Sequence, residues 1–141
     1  MTNIDILKRK ISQIQKYFAI LKPLRKYPKE KIQNDEIIYG AIERYLYLLC
    51  QATIDFAEAV ISFKNLRKPG TYSEIFEILS EGEGLISRDI SRKMQEMTGF
   101  RNILAHEYGK VDFKEVYKVL TDEIDDINIF LEEIKGKIKL V

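Results

Sequence analysis

Apolar residues recur every three or four positions along almost all of this chain. The first series is Ile4, Leu7, Ile11, Ile14, Phe18 and Leu21, a spacing that lines one face of an α-helix. No segment alternates apolar and polar residues for more than a few positions, so the period-two pattern of a half-buried strand is missing. The expected fold class is therefore all-α, with apolar faces buried by packing helix on helix.

The breaks between the series divide the chain. The first helix is expected to end before Pro23, and the basic stretch from Lys22 to Gln33, which holds Pro23 and Pro28, reads as a connection. A second, long helix should begin near Asn34 or a little earlier, with Asp35 and Glu36 at the positive end of its dipole. Its stripe is Ile37, Ile38, Ala41, Tyr45, Leu48, Leu49, Ala52, Phe56, Ala59, Val60 and Phe63, and Pro69-Gly70 closes the segment after it. Thr71 to Glu74 has capping-box spacing and opens a short helix before Gly82 and Gly84. Ser87 offers a cap for a further helix carrying Ile90, Met94, Met97, Phe100, Ile103 and Leu104 and stopping at Gly109. A second capping box, Asp112 to Glu115, begins a last long helix running to Ile138. Four substantial helices and one short one predict an up-and-down four-helix bundle with an additional short helix, in a single domain spanning residues 1–141.

Composition narrows the function classes. With 23 basic and 22 acidic side chains the net charge is +1, so binding to a polyanion must rest on local clusters. Two exist, Lys22, Arg25, Lys26, Lys29 and Lys31 in one segment and Lys64, Arg67 and Lys68 in another; such runs are ordinarily solvated loops or helix ends. The acidic group Asp122, Glu123, Asp125 and Asp126 reads as the solvated face of the last helix. A single cysteine, Cys50, excludes an intrachain disulfide and fits a reducing cytosol. No segment is expected to span a bilayer and the N-terminus lacks a signal organisation, so the expected location is the cytoplasm. There is no glycine-rich phosphate loop, Gly-x-Ser-x-Gly, Cys-x-x-Cys or His-Glu-x-x-His. With one histidine and one cysteine far apart, no metal or cofactor is expected.

Chemistry concentrates in residues 101 to 108, Arg-Asn-Ile-Leu-Ala-His-Glu-Tyr, which contain the only histidine. On a wheel of about 100° per residue with Arg101 at zero, Asn102 falls near 100° and His106 near 140°. Met97, Phe100, Ile103 and Leu104 occupy the arc from roughly 200° to 320°, which is the core face. Arg101, Asn102 and His106 point away from it, and Asn102 sits one turn before His106, where its amide could fix the imidazole tautomer. An inert surface histidine is the ordinary reading of such a residue. A permanent cation beside a group that titrates near neutrality is also what phosphoryl chemistry without a metal requires. Tyr108 flanks the core at the helix end and reads from geometry as an amphipathic edge residue.

Arg101-x-x-x-x-His106-x-Tyr108 on the penultimate helix of an all-α domain resembles the HepT-like branch of the HEPN superfamily, ribonuclease toxins encoded beside a minimal nucleotidyltransferase antitoxin. Glu43-Arg44-Tyr45-Leu46 with Gln51 and Asp55, the segment Arg67-Lys68-Pro69 through Tyr72 to Leu79, and Met97 to Asn102 match the same branch, so the resemblance covers about Ile37 to Leu131. It implies a metal-independent endoribonuclease acting as a homodimer, the toxin of a type VII-like toxin–antitoxin pair. Arg101 would bind the phosphate of an RNA substrate, His106 from each subunit would supply base and acid, and Asn102 would support them. The resemblance also implies that the cognate nucleotidyltransferase attaches AMP to Tyr108. Glu43 and Asp55 fit the family pattern without an assignable role. Two other readings stand beside this one: a HEPN binding subunit, weakly active or inactive, that pairs with a nucleotidyltransferase, and a plain helical dimerisation protein.

Overall fold

The computed structural model describes residues 2–106 and 111–140, and among these every regular element is helical. Helix α1 spans Asn3–Leu24, α2 Lys29–Asn34, α3 Glu36–Phe63, α4 Tyr72–Ser80, α5 Arg88–His106, α6 Phe113–Lys118 and α7 Asp125–Ile138, with a π-helical turn at Val119–Glu123 between the last two. Helix α3 is the centre of the molecule. It carries α1 along one side and α4 and α5 along others, while α7 packs on α5.

Local sequence chemistry accounts for most boundaries. The hydroxyl of Thr2 accepts from the Asp5 N–H and the Asp5 carboxylate accepts from the Thr2 N–H, a reciprocal cap on α1. Asp35 caps α3 by accepting from the Ile37 and Ile38 N–H groups, Thr71 caps α4 through the Glu74 N–H, and Asp112 caps α6 through the Lys114 N–H. Ser87 accepts from the Ile90 N–H at the start of α5. After α4 the chain reverses through Gly84, whose φ is +64° and where a Cβ would meet the Ile86 and Ser80 carbonyl oxygens at 3.0 and 3.2 Å.

Five expectations are corrected. Helix α1 does not stop before Pro23 but includes it in its last turn, where a missing N–H costs one hydrogen bond at an end that is about to fray. The basic connection contains α2, a helix of 6 residues that tertiary packing holds by burying Ile32. In α3 the expected stripe is too narrow: Ile42, Leu46, Cys50, Ile54 and Ala57 are buried as well, whereas Ile37 is 85% exposed. This double-sided burial makes α3 apolar enough, over its 28 residues, to pass a length-and-hydropathy test for a membrane span, although 56% of the window is inside the fold. The expected absence of such a segment is thus corrected too, and the apolar length belongs to a helix at the core.

The fifth correction concerns the last helix, which is interrupted. At Val119–Glu123 the Ile124 N–H reaches back five residues to the Val119 carbonyl, at 3.0 Å, and just before it the Thr121 hydroxyl takes the Tyr117 carbonyl at 2.8 Å. The chain then resumes as α7. Its Phe130 sits edge-on against Phe56 of α3 and Phe76 of α4.

Four of the eight residues in the two basic clusters are engaged in holding the fold. Arg25 pairs with Asp125, Lys31 with Asp35, and the Lys29 ammonium lies over the Tyr117 ring. Arg67 binds Glu81 through two nitrogens and Glu74 through a third, tying both ends of α4 to the loop before it. Of the acidic group on the last helix, Asp125 meets Arg25, Glu123 meets Lys118 and Asp126 faces Lys93.

Candidate active site

Arg101 lies on α5 where that helix crosses α3 and the start of α4. Its side chain is half-buried, and every contact it makes is specific in direction. The Nε–H donates to Gln51 Oε1 at 2.8 Å, Nη2 donates to the Tyr47 hydroxyl at 3.2 Å, and Nη1 donates to Asn102 Oδ1 at 3.0 Å. The guanidinium carbon is 5.2 Å from the Tyr47 ring centre and 5.4 Å from that of Tyr72, so the cation lies against two aromatic rings. A guanidinium has five N–H donors. Three are spent on these contacts, which leaves one on each terminal nitrogen, the pair that meets a phosphate or carboxylate in a bidentate fork.

The partners come from a periodicity in α3. Glu43, Tyr47, Gln51 and Asp55 follow one another at intervals of four, so they form a single polar row along an otherwise apolar helix. Gln51 Nε2 donates to Asp55 Oδ1 at 2.9 Å. Glu43 is half-buried, and burial pushes its carboxyl above the ordinary carboxylate range. Tyr39, one turn earlier, is raised by burial and then by the nearby Glu43 and Asp112 charges. Behind the row Cys50 is fully buried, and burial pushes its thiol up to about 12 against the opposing pull of Arg101. A thiol so protonated is a packing residue.

His106 is exposed, as is Asn102, whereas Phe100 and Leu104 are buried, as the wheel has them; Arg101, expected off the core face, is instead half-buried against α3 and α4. Asn102 does something other than expected. Its carbonyl oxygen accepts from Arg101, and among the described residues no hydrogen bond joins it to His106. Among the described residues no hydrogen bond joins His106 to Arg101 either: the arginine is turned toward α3 and α4, and the imidazole is exposed on α5. Tyr108 and the helix stop expected at Gly109 lie outside the described residues. Sequence reasoning missed Tyr47 and Tyr72 as site residues. The signal available was the interval of four in α3, which sets Tyr47 in one row with Glu43, Gln51 and Asp55.

Among the described residues no group of three or more histidine, cysteine or carboxylate side chains is arranged to hold a metal ion. The arrangement offers instead a fixed cation with two unspent donors and an accessible imidazole further along the same helix. That pair is suited to binding a phosphodiester and moving its protons.

The family model described as Ribonuclease HepT-like matches residues 7–134. The chain is 24% identical to the mRNA nuclease HepT of Shewanella oneidensis over 137 residues, covering 97% of this chain and 96% of that protein. It is 26% identical to the tRNA nuclease HepT of Aphanizomenon flos-aquae over 143 residues, covering 96% and 93% respectively. Among solved structures, the tri-AMPylated Shewanella oneidensis HEPN toxin in complex with MNT antitoxin superposes with a TM-score of 0.84 at 24% identity, covering 96% of this chain and 99% of that one. At that identity the superposition speaks to the helical fold.

Proposed function

Because this chain belongs to the Ribonuclease HepT-like family, we propose that it is an RNA endonuclease, the toxin of a toxin–antitoxin pair whose antitoxin is a nucleotidyltransferase. The observation that carries this reading is Arg101, held by three hydrogen bonds with a donor left on each terminal nitrogen. A buried-edge arginine left in that state is built for an anion, and a phosphodiester fits the remaining fork. The named nucleases among the relatives make RNA the natural source of that phosphodiester.

The working unit is a homodimer of up-and-down bundles. A single chain supplies one histidine, whereas this reaction uses both a base and an acid. Two copies related by a two-fold axis through the exposed face of α5 supply two imidazoles to one cleft. One, neutral, takes the proton from the ribose 2′-hydroxyl as its oxygen attacks phosphorus. The other, protonated, gives its proton to the 5′-oxygen as the P–O5′ bond breaks. Arg101 binds the non-bridging oxygens and stabilises the charge that grows on them in the transition state. Asn102, by accepting from Nη1, keeps the guanidinium plane in place.

This chemistry leaves a 2′,3′-cyclic phosphate and a 5′-hydroxyl. Purified protein incubated with total RNA is expected to give those ends, with a bell-shaped pH profile and undiminished rate in excess EDTA. Loss of cleavage on chelation, or 5′-phosphate ends, would sink the mechanism.

Tyr108 is the acceptor of AMP from the cognate nucleotidyltransferase. An adenylyl group two residues from His106 adds bulk and a negative charge beside the cleft, which competes with substrate for Arg101. The wild-type chain co-expressed with its antitoxin should gain the mass of AMP and Tyr108→Phe should gain none; equal modification of both would reassign the acceptor. A catalytically silent binding subunit is the competing reading. It predicts no cleavage from the unmodified protein.

A further inference from the structure

We propose that Asp55, acting through Gln51, is a positioning residue for Arg101, and this rests on the reading of Arg101 as the phosphate-binding cation. A glutamine amide has an acceptor end and a donor end, and rotation by half a turn exchanges them. In the observed arrangement Gln51 presents Oε1 to the Arg101 Nε–H at 2.8 Å and Nε2 to Asp55 Oδ1 at 2.9 Å. The reverse arrangement sets N–H against N–H at the arginine and oxygen against oxygen at the aspartate. A carboxylate accepts only, so Asp55 admits one orientation of the amide, and that orientation is the one Arg101 needs.

The consequence is directional. The Nε–H and one Nη2–H of the guanidinium face α3, toward Gln51 and Tyr47, one helical turn apart. With that edge anchored on α3, the unspent donors on Nη1 and Nη2 have a fixed direction. The Tyr47 and Tyr72 rings lie beside the guanidinium, and the Tyr47 hydroxyl and Asn102 Oδ1 each accept from one of its terminal nitrogens. The Gln51 amide fixes the remaining position, the Nε–H, and with them sets the rotation of the guanidinium. Asp55 itself is exposed and does not touch Arg101, so its influence passes through a single side chain and should be modest in size.

Two measurements test the relay independently of each other. In the first, hydrogen exchange of the Arg101 side-chain Nε–H is followed by NMR in the wild type, Asp55→Ala and Gln51→Ala. Exchange should quicken about threefold to tenfold in Asp55→Ala, at least as much in Gln51→Ala, with unfolding midpoints unchanged. Wild-type exchange in Asp55→Ala overturns the relay whether or not the protein cuts RNA. In the second, steady-state cleavage should show kcat lowered about threefold to tenfold in Asp55→Ala with little change in KM. The double variant should be no slower than Gln51→Ala alone, because the aspartate has no other route to the arginine. Additive losses would mean that Asp55 acts elsewhere and would reject the relay. A wild type that cleaves no RNA would instead strike at the nuclease reading, while the exchange measurement still decides the relay.

Discussion

His106→Ala lowers RNA cleavage by about 10³-fold or more and leaves the fold untouched. Each of general base and general acid contributes about 10²–10⁴-fold in typical enzymes, and in the proposed dimer both roles fall to copies of this one residue. The two losses do not simply multiply, since removing either partner already stalls a concerted proton transfer. The side chain is exposed and no hydrogen bond anchors it among the described residues, so truncation opens no cavity and breaks no network. Helical content and urea midpoint should match the wild type. In cells the same substitution is expected to abolish growth arrest when the chain is expressed without its antitoxin. A purified variant within tenfold of wild-type activity would remove His106 from the mechanism, and equal growth of strains expressing wild type and variant would favour the binding-subunit reading.

Phe130→Ala destabilises the protein by about 3–5 kcal/mol. Phe130 is fully buried, with ring centres 6.1 Å from Phe56 and 5.5 Å from Phe76 at interplanar angles of 83° and 73°. It is therefore where α7 locks onto α3 and α4 together, and two edge-to-face contacts are lost along with the buried area. The surrounding residues belong to three different helices, none of which can move into the gap without leaving another neighbour. Domains of this kind are stable by only about 5–15 kcal/mol, so the variant should unfold at a much lower urea concentration, with an unchanged slope if the native state stays compact. A loss under about 1 kcal/mol would mean that the three helices do not meet as described.

The two results divide along the line between what the sequence makes legible and what it does not. Helix starts are written locally, in Asp35, Thr71, Ser87 and Asp112, because a cap is a bond between neighbours a few residues apart. The outward direction of Asn102 and His106 follows from angular spacing alone. What holds Arg101 does not, since its partners Tyr47 and Gln51 lie 54 and 50 positions away. Nothing in residues 101 to 108 names them. Helix α2 and the width of the α3 core were hidden for the same reason, being consequences of what packs around them. The break in the last helix was hidden more thoroughly, because Val116, Leu120, Ile124, Ile127 and Leu131 keep a spacing of three or four straight through it.

That wide turn leaves the chain one residue of slack. A backbone ring closed over five residues holds one more than a ring closed over four, so Val119–Glu123 takes in an extra residue while the helix continues beyond it. Phe130 and the rest of α7 then point where they would point in an ordinary helix one residue shorter. A protein built on the same plan can therefore omit a residue here and keep its core, and an alignment of the two would carry its gap inside a helix where gaps are least expected.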